Sequence, residues 1–131
     1  QHEGKSTNDN PRFVFSISAD SDNVDSNYII AEVDNGKTTV MWNRLDGGVF
    51  GTAVHTTDVD SKGQAIEYLA IHKVGDTYHH WAGTESNWIY MGNYTNVYTP
   101  AILELQFHTH NQDHILSLDF IRFIETDKFP F

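Results

Sequence analysis

Aromatic side chains are concentrated in one stretch of the chain, where their chemistry suits the binding of sugars. Between residues 81 and 98, five rings lie among Asn, Gly and Thr residues: Trp81, Trp88, Tyr90, Tyr94 and Tyr98. The apolar C–H face of a sugar stacks on a flat aromatic ring, while amide side chains hydrogen-bond to its hydroxyls. The stretch therefore predicts a carbohydrate-binding surface that uses the first four of these rings. The alternative is that the rings are ordinary core residues of a β-sandwich.

Histidines near the C-terminus have a spacing that suits a transition metal. His108 and His110 are one residue apart, so on a strand both imidazoles lie on the same face, and His114 follows shortly afterwards. Imidazole nitrogens are ligands for Zn²⁺, Cu²⁺ and Fe²⁺. A metal site of His108, His110 and His114 is therefore one hypothesis. The others are a solvated polar face, and a hydrogen bond from His108 to a bound ligand.

Clustered carboxylates indicate a third kind of chemistry. Asp20, Asp22 and Asp25 follow the first strand-like segment, and a second acidic loop starts at Asp58 and Asp60. Carboxylates that crowd together repel one another, and Ca²⁺ is a natural occupant of such a loop. Neither loop has the Glu at the twelfth position that an EF-hand requires. The sequence predicts a Ca²⁺ site at the first loop, with a solvated acidic turn as the alternative.

The composition sets limits on the fold and on the partners. The chain has 131 residues and no cysteine, which fits one domain without disulfides or thiolate metal sites. Its net charge of −10 repels phosphate backbones and anionic lipids, so we expect neither nucleic-acid nor membrane binding. The chain opens at Gln1. We expect an extracellular or periplasmic protein, either a mature secreted chain or a module of a larger multidomain protein.

The pattern along the chain predicts an all-β fold. Residues 1–11 are polar, and we expect them to form a flexible N-terminal arm and residues 12–131 to form a single domain. Apolar and polar residues alternate as they do in half-buried strands at 12–19, 28–33, 37–44, 49–55, 77–82, 87–92, 101–109 and 114–124. Asp34-Asn35-Gly36 is typical of a hairpin turn. Residues 64–74 fit either a strand or a short helix. About nine short strands favour an antiparallel, jelly-roll-like β-sandwich.

The last third of the chain predicts a hairpin with two chemically different faces. If 101–109 pairs with 114–124 around Gln112 and Asp113, Phe107 lies opposite Leu118. The same register places His108 opposite Ser117 on a polar face. We therefore expect the side chains of Phe107, Leu118 and Phe120 to be buried.

Two short stretches resemble the jelly-roll carbohydrate-binding modules of the family-six type. Residues 46–54 (DGGVFGTAV) are similar to that family's strand with a V-x-G-T-x-V run, and 114–123 (HILSLDFIRF) to its closing strand. In that family an Asn in the loop before the closing strand contacts the sugar, and Asn111 lies in the matching loop. The resemblance implies a jelly roll that binds a poly- or oligosaccharide without catalysis. A small metalloprotein or metal-dependent enzyme and a structural or adhesive module are the alternatives.

Overall fold

The computed structural model describes residues 11–20, 22, 24–34, 37–56, 65–108, 122, 125, 126, 128 and 129. These residues form nine strands and no helix. The strands are β1 (Arg12–Ser18), β2 (Ser26–Asp34), β3 (Lys37–Asp46), β4 (Val49–Phe50), β5 (Val54–Thr56), β6 (Tyr68–Val74), β7 (Thr77–Gly83), β8 (Trp88–Thr95) and β9 (Ile102–His108). None of the described residues belongs to a helix long and apolar enough to cross a membrane.

The larger of the two sheets is antiparallel and has the strand order β4-β3-β2-β1-β9, with β5 also paired to β3. Asp34 pairs with Lys37 across the turn between β2 and β3, which confirms the predicted hairpin. β9 returns to lie beside β1 after the chain has built the second sheet. A long return of this kind, beside the first strand, is characteristic of Greek-key sandwiches.

The smaller sheet is an antiparallel meander of β6, β7 and β8. Its register is regular except at a bulge, where Trp81 pairs with Tyr90 but the preceding His80 pairs with Gly92. Met91 is therefore an extra residue on β8, and the alternation of its side chains changes phase at this point. Residues 88 and 90 lie on one face of the sheet, and residues 93 and 95 continue that face beyond the bulge.

The sheets pack face to face, with β6 against β2 and β8 against β5. Alternating residues of both sheets fill the space between them: the buried members are Ile29, Val40, Trp42, Ile66, Ala82 and Met91. Trp42 joins the two layers, because its indole Nε1 donates a hydrogen bond of 2.8 Å to the backbone oxygen of Met91. Burial of each large apolar side chain in such a core stabilises the fold by about 1.5–3 kcal/mol.

The structure confirms the antiparallel β-sandwich and decides between the alternatives for 64–74. That segment contributes the strand β6, and Ile66, just before it, is buried in the core. The expected burial of Phe107 is wrong, because its side chain is 47% exposed. Phe107 packs edge-on against Phe13 on β1, at a distance of 5.0 Å between ring centroids. The second sheet packs over β2 and β5, so this edge of the larger sheet extends beyond it.

Several expectations concern residues outside the described part of the chain. They are the polar arm at 1–10, the second acidic loop at 57–64, and the segment 114–124 with Leu118 and Phe120.

Candidate functional site

The outward face of the smaller sheet carries a group of rings that we call the outer aromatic face: Tyr68, His72, His79, Trp81, Trp88 and Tyr90. Strand register brings them together, since His72 pairs with His79 and Trp81 pairs with Tyr90. Gly83 on β7 lies between Tyr68 on β6 and Trp88 on β8, which are its partners in the sheet. A Cβ atom on Gly83 would be 2.8 Å from the Trp88 ring, so only glycine leaves room for that ring to lie over the strand.

The rings of the outer aromatic face are inclined to one another. Trp81 and Tyr90 have centroids 4.7 Å apart and planes at 55°. Tyr68 and Trp88 are 6.0 Å apart with planes at 46°. Phe129, from the C-terminal part of the chain, lies edge-on against Trp88 at 4.9 Å and against Trp81 at 5.5 Å. The rings of the face therefore do not lie in one plane.

A concavity of about 360 Å³ lies on this face. Its lining residues are His72, Val74, His79, Trp81, Tyr90 and Phe129. This volume is at the lower end of the range for small-molecule sites, which is about 300–1,000 Å³. Its walls are mainly apolar rings, with imidazole nitrogens and a phenol oxygen among them. Such a lining can stack against an apolar ring face and also hydrogen-bond to the hydroxyls on its edge.

His72, His79 and Tyr90 each make a hydrogen bond within or beside the concavity. His79 Nδ1 and Tyr90 Oη share a hydrogen bond of 2.9 Å, and Asn93 Nδ2 donates to the same Oη at 2.7 Å. His72 Nε2 lies 3.0 Å from the backbone oxygen of Thr126. A carbonyl oxygen only accepts, so this nitrogen carries the proton. Burial lowers the pKa of His79, and the neighbouring His72 lowers it further, so the neutral imidazole is favoured.

The structure brings together three of the four rings predicted from the sequence and separates the fourth. Trp81, Trp88 and Tyr90 share the outer aromatic face, whereas Tyr94 lies beyond the bulge and packs against the core. The Arg44 guanidinium lies 4.2 Å from the centroid of the Tyr94 ring. Tyr94 Oη also donates a hydrogen bond of 2.7 Å to Asp46 Oδ2. The surroundings of Tyr94 are those of a residue that joins the two sheets.

The predicted calcium loop follows β1. The backbone N–H of Asp22 donates to Asp20 Oδ1 at 3.0 Å, which is a local turn. Asp25 Oδ1 accepts a hydrogen bond of 3.0 Å from the Gly47 N–H. Within the described ranges, no group of three His, Asp or Glu side chains could hold a metal ion. The Ca²⁺ site stays a prediction.

The predicted histidine cluster is only partly within the described residues. His108 belongs to β9, where its backbone pairs with that of Arg12. His110, Asn111 and His114 lie outside the described residues. The transition-metal hypothesis for this cluster, and the sugar contact that the family resemblance implies for Asn111, therefore stay predictions.

Sequence reasoning missed Tyr68, His72, His79 and Phe129 as members of the site. The signal for His79 was present, because it is two residues before Trp81 on one strand and so lies on the same face. His72 could have been found from the Gly75-Asp76 turn, which pairs Val74 with Thr77 and so fixes the register. Nothing in the sequence indicated Phe129, because its contacts depend on where the C-terminal part of the chain packs.

Comparisons of the chain with protein-family models, with curated proteins and with solved structures found no match. The function must therefore be argued from the geometry of the site itself.

Proposed function

We propose that this protein is a non-catalytic carbohydrate-binding module that holds a poly- or oligosaccharide on the outer aromatic face. The observation that carries the proposal is the concavity bounded by Trp81, Tyr90 and Phe129, with Trp88 beside it. One pyranose unit would lie against the indole of Trp81. Its neighbour along the glycan chain would contact the ring of Trp88 or Tyr68.

Polar groups at the rim supply the hydrogen bonds that a sugar requires. Tyr90 Oη is positioned by Asn93 and His79, and all three side chains have capacity to bond with a hydroxyl group. A Trp or Tyr ring has few rotatable bonds and buries a large area, so it binds at a low cost in conformational entropy. Apolar stacking with a few oriented polar groups favours a neutral or weakly acidic glycan.

The lining of the concavity supports binding without catalysis. Glycoside hydrolysis generally uses two carboxyl groups on either side of the scissile bond. Among the described residues that line the concavity, none is an Asp or a Glu. A bound Ca²⁺ near Asp20, Asp22 and Asp25 would belong to the loop between β1 and β2, which is on the other sheet, and would have a structural role. We further propose that the module acts outside the cell, where polysaccharides are accessible.

A glycan array, run with and without EDTA, tests the proposal and identifies the sugar. Titration calorimetry with the best oligosaccharide then compares the wild type with Trp81→Ala and Trp88→Ala. Loss of a central aromatic anchor costs about 1–3 kcal/mol of binding free energy. Near-ultraviolet circular dichroism establishes that each variant is folded. A folded Trp81→Ala variant that binds as tightly as the wild type overturns the proposal, as does an array with no bound glycan. Binding that EDTA abolishes and that added Ca²⁺, but not Zn²⁺, restores would assign Ca²⁺ a part in the site.

A further inference from the structure

We propose that His72 and His79 form a binding site for a divalent transition-metal ion, with Zn²⁺ as the reference ion, on the outer aromatic face. The proposed site does not include His108, His110 or His114. It does not rest on the proposed binding of a glycan. The observations behind it are the distance between the two rings and the hydrogen bonds that each ring makes on its other nitrogen.

The two imidazoles are placed as a cross-strand pair. His72 on β6 and His79 on β7 are direct partners in the antiparallel register, and both side chains lie on the outward face. Their ring centroids are 6.2 Å apart, with 37° between the planes. Because Zn–N bonds are about 2.0–2.1 Å long, two imidazoles on one ion have centroids roughly 5–6 Å apart. The observed separation of the centroids, 6.2 Å, is slightly longer than this range.

Hydrogen bonds on the opposite nitrogens give these rings the arrangement of metal ligands. A histidine that binds a metal generally donates its other N–H to a carbonyl or a similar acceptor, which fixes its tautomer and orientation. His72 Nε2–H donates to the Thr126 oxygen at 3.0 Å, so Nδ1 holds the free lone pair. His79 Nδ1 lies 2.9 Å from Tyr90 Oη. When Nδ1–H donates to that oxygen, the lone pair is on His79 Nε2.

The surroundings favour a cation over two protonated imidazoles. Metal binding requires neutral imidazole, and two protonated rings at this distance would repel each other. The chain has a net charge of −10, which attracts cations from solution. The concavity beside the pair leaves space for water ligands, which complete the four-coordinate shell that Zn²⁺ prefers.

The test is calorimetric titration of the full-length chain with Zn²⁺ at pH 7.5. Four variants are compared with the wild type: His72→Ala, His79→Ala, His55→Ala, and a triple substitution of His108, His110 and His114 by Ala. His55 is an exposed histidine on β5 and serves as the matched control. We expect a one-to-one binding event that is lost in His72→Ala and in His79→Ala and kept in the other two variants.

Two further measurements complete the test. Lowering the pH to 5.5 should weaken Zn²⁺ binding, because Zn²⁺ requires neutral imidazole and protons compete for the same nitrogens. The titration is repeated on His72→Gln and His79→Gln, and near-ultraviolet circular dichroism of the Ala and Gln variants checks that loss of binding is not loss of the fold. Absence of Zn²⁺ binding in the wild type overturns the proposal. So does binding that survives in a folded His79→Gln variant, and so does binding that only the triple variant removes.

Discussion

The imidazole of His80 lies flat against the indole of Trp42, with ring centroids 3.9 Å apart and 7° between the planes. His80 extends inward from β7 and Trp42 from β3, so the stack joins the two sheets at the centre of the core. His80 is 0% exposed. Neither of its ring nitrogens makes a hydrogen bond of good geometry among the described residues. Burial therefore lowers the pKa of His80 to about 4, although the nearby Gly92 backbone offsets part of this effect.

The depressed pKa of His80 predicts loss of stability in acid. Between pH 6.5 and about 4 the unfolded chain binds a proton at this residue and the folded chain does not, so the free energy of unfolding falls as the pH falls. The total loss of unfolding free energy from this residue is about 3 kcal/mol, and it is reached below pH 4. Urea unfolding of the wild type and of His80→Gln, from pH 7.5 to 4, measures it. The free energy of unfolding should depend less steeply on pH in the variant than in the wild type, and equal dependence would contradict the prediction.

Tyr90 and Tyr94 should differ in their contribution to glycan binding. Tyr90→Ala removes a wall of the concavity and should cost about 1–3 kcal/mol of binding free energy, with little effect on folding. Tyr94→Ala removes the contacts with Arg44 and Asp46 that join the sheets, so it should lower the melting temperature and leave glycan affinity unchanged. Titration calorimetry with the glycan and thermal unfolding of both variants test this difference. If Tyr94→Ala weakens glycan binding and Tyr90→Ala does not, the ligand lies on the inner side of β8.

Gly92 should tolerate a side chain less well than Gly75. Gly92 has φ of +116°, and a Cβ atom there would lie 3.2 Å from Cζ2 of Trp42. Gly92→Ala should therefore destabilise the fold by about 3 kcal/mol, from backbone strain together with displacement of the indole. Gly75 has φ of +58° with open space around the Cβ position, so Gly75→Ala should cost only about 1 kcal/mol. Urea unfolding measures the loss of stability in both variants. Similar losses would show that the Trp42 ring moves aside without cost.

The hydroxyl of Tyr98 should be important for stability because it connects two buried groups. Asn27 Nδ2 donates to Tyr98 Oη at 3.0 Å, and Oη donates to the Ile17 carbonyl oxygen at 2.8 Å. Tyr98→Phe leaves both groups without this partner and should lower the free energy of unfolding by about 2 kcal/mol. The control is Thr95→Val, which removes a hydroxyl from the exposed pair with Thr77 and should change stability by under about 0.5 kcal/mol. Equal effects would mean that water replaces the lost bonds.

The sequence by itself determined most of the strands and one of their pairings, the hairpin of β2 and β3. Alternation of apolar and polar residues is a local property, so it located β1, β2, β3 and β9 and predicted the turn after Asp34. It could not place Phe107 inside or outside the core, because burial depends on how far the second sheet extends. That extent is fixed by packing between strands that are distant in the chain.

Only the tertiary structure decided which rings of the aromatic stretch face outward and which face the core. Tyr90 and Tyr94 are four residues apart, so regular alternation places both on one face of a strand. The extra residue Met91 at the bulge reverses the phase, which directs Tyr90 outward and Tyr94 toward the core. The sequence determined that several Trp and Tyr rings were present in this stretch. The bulge and the position of Phe129 decided which of them form one face, because both depend on contacts that strand periodicity does not encode.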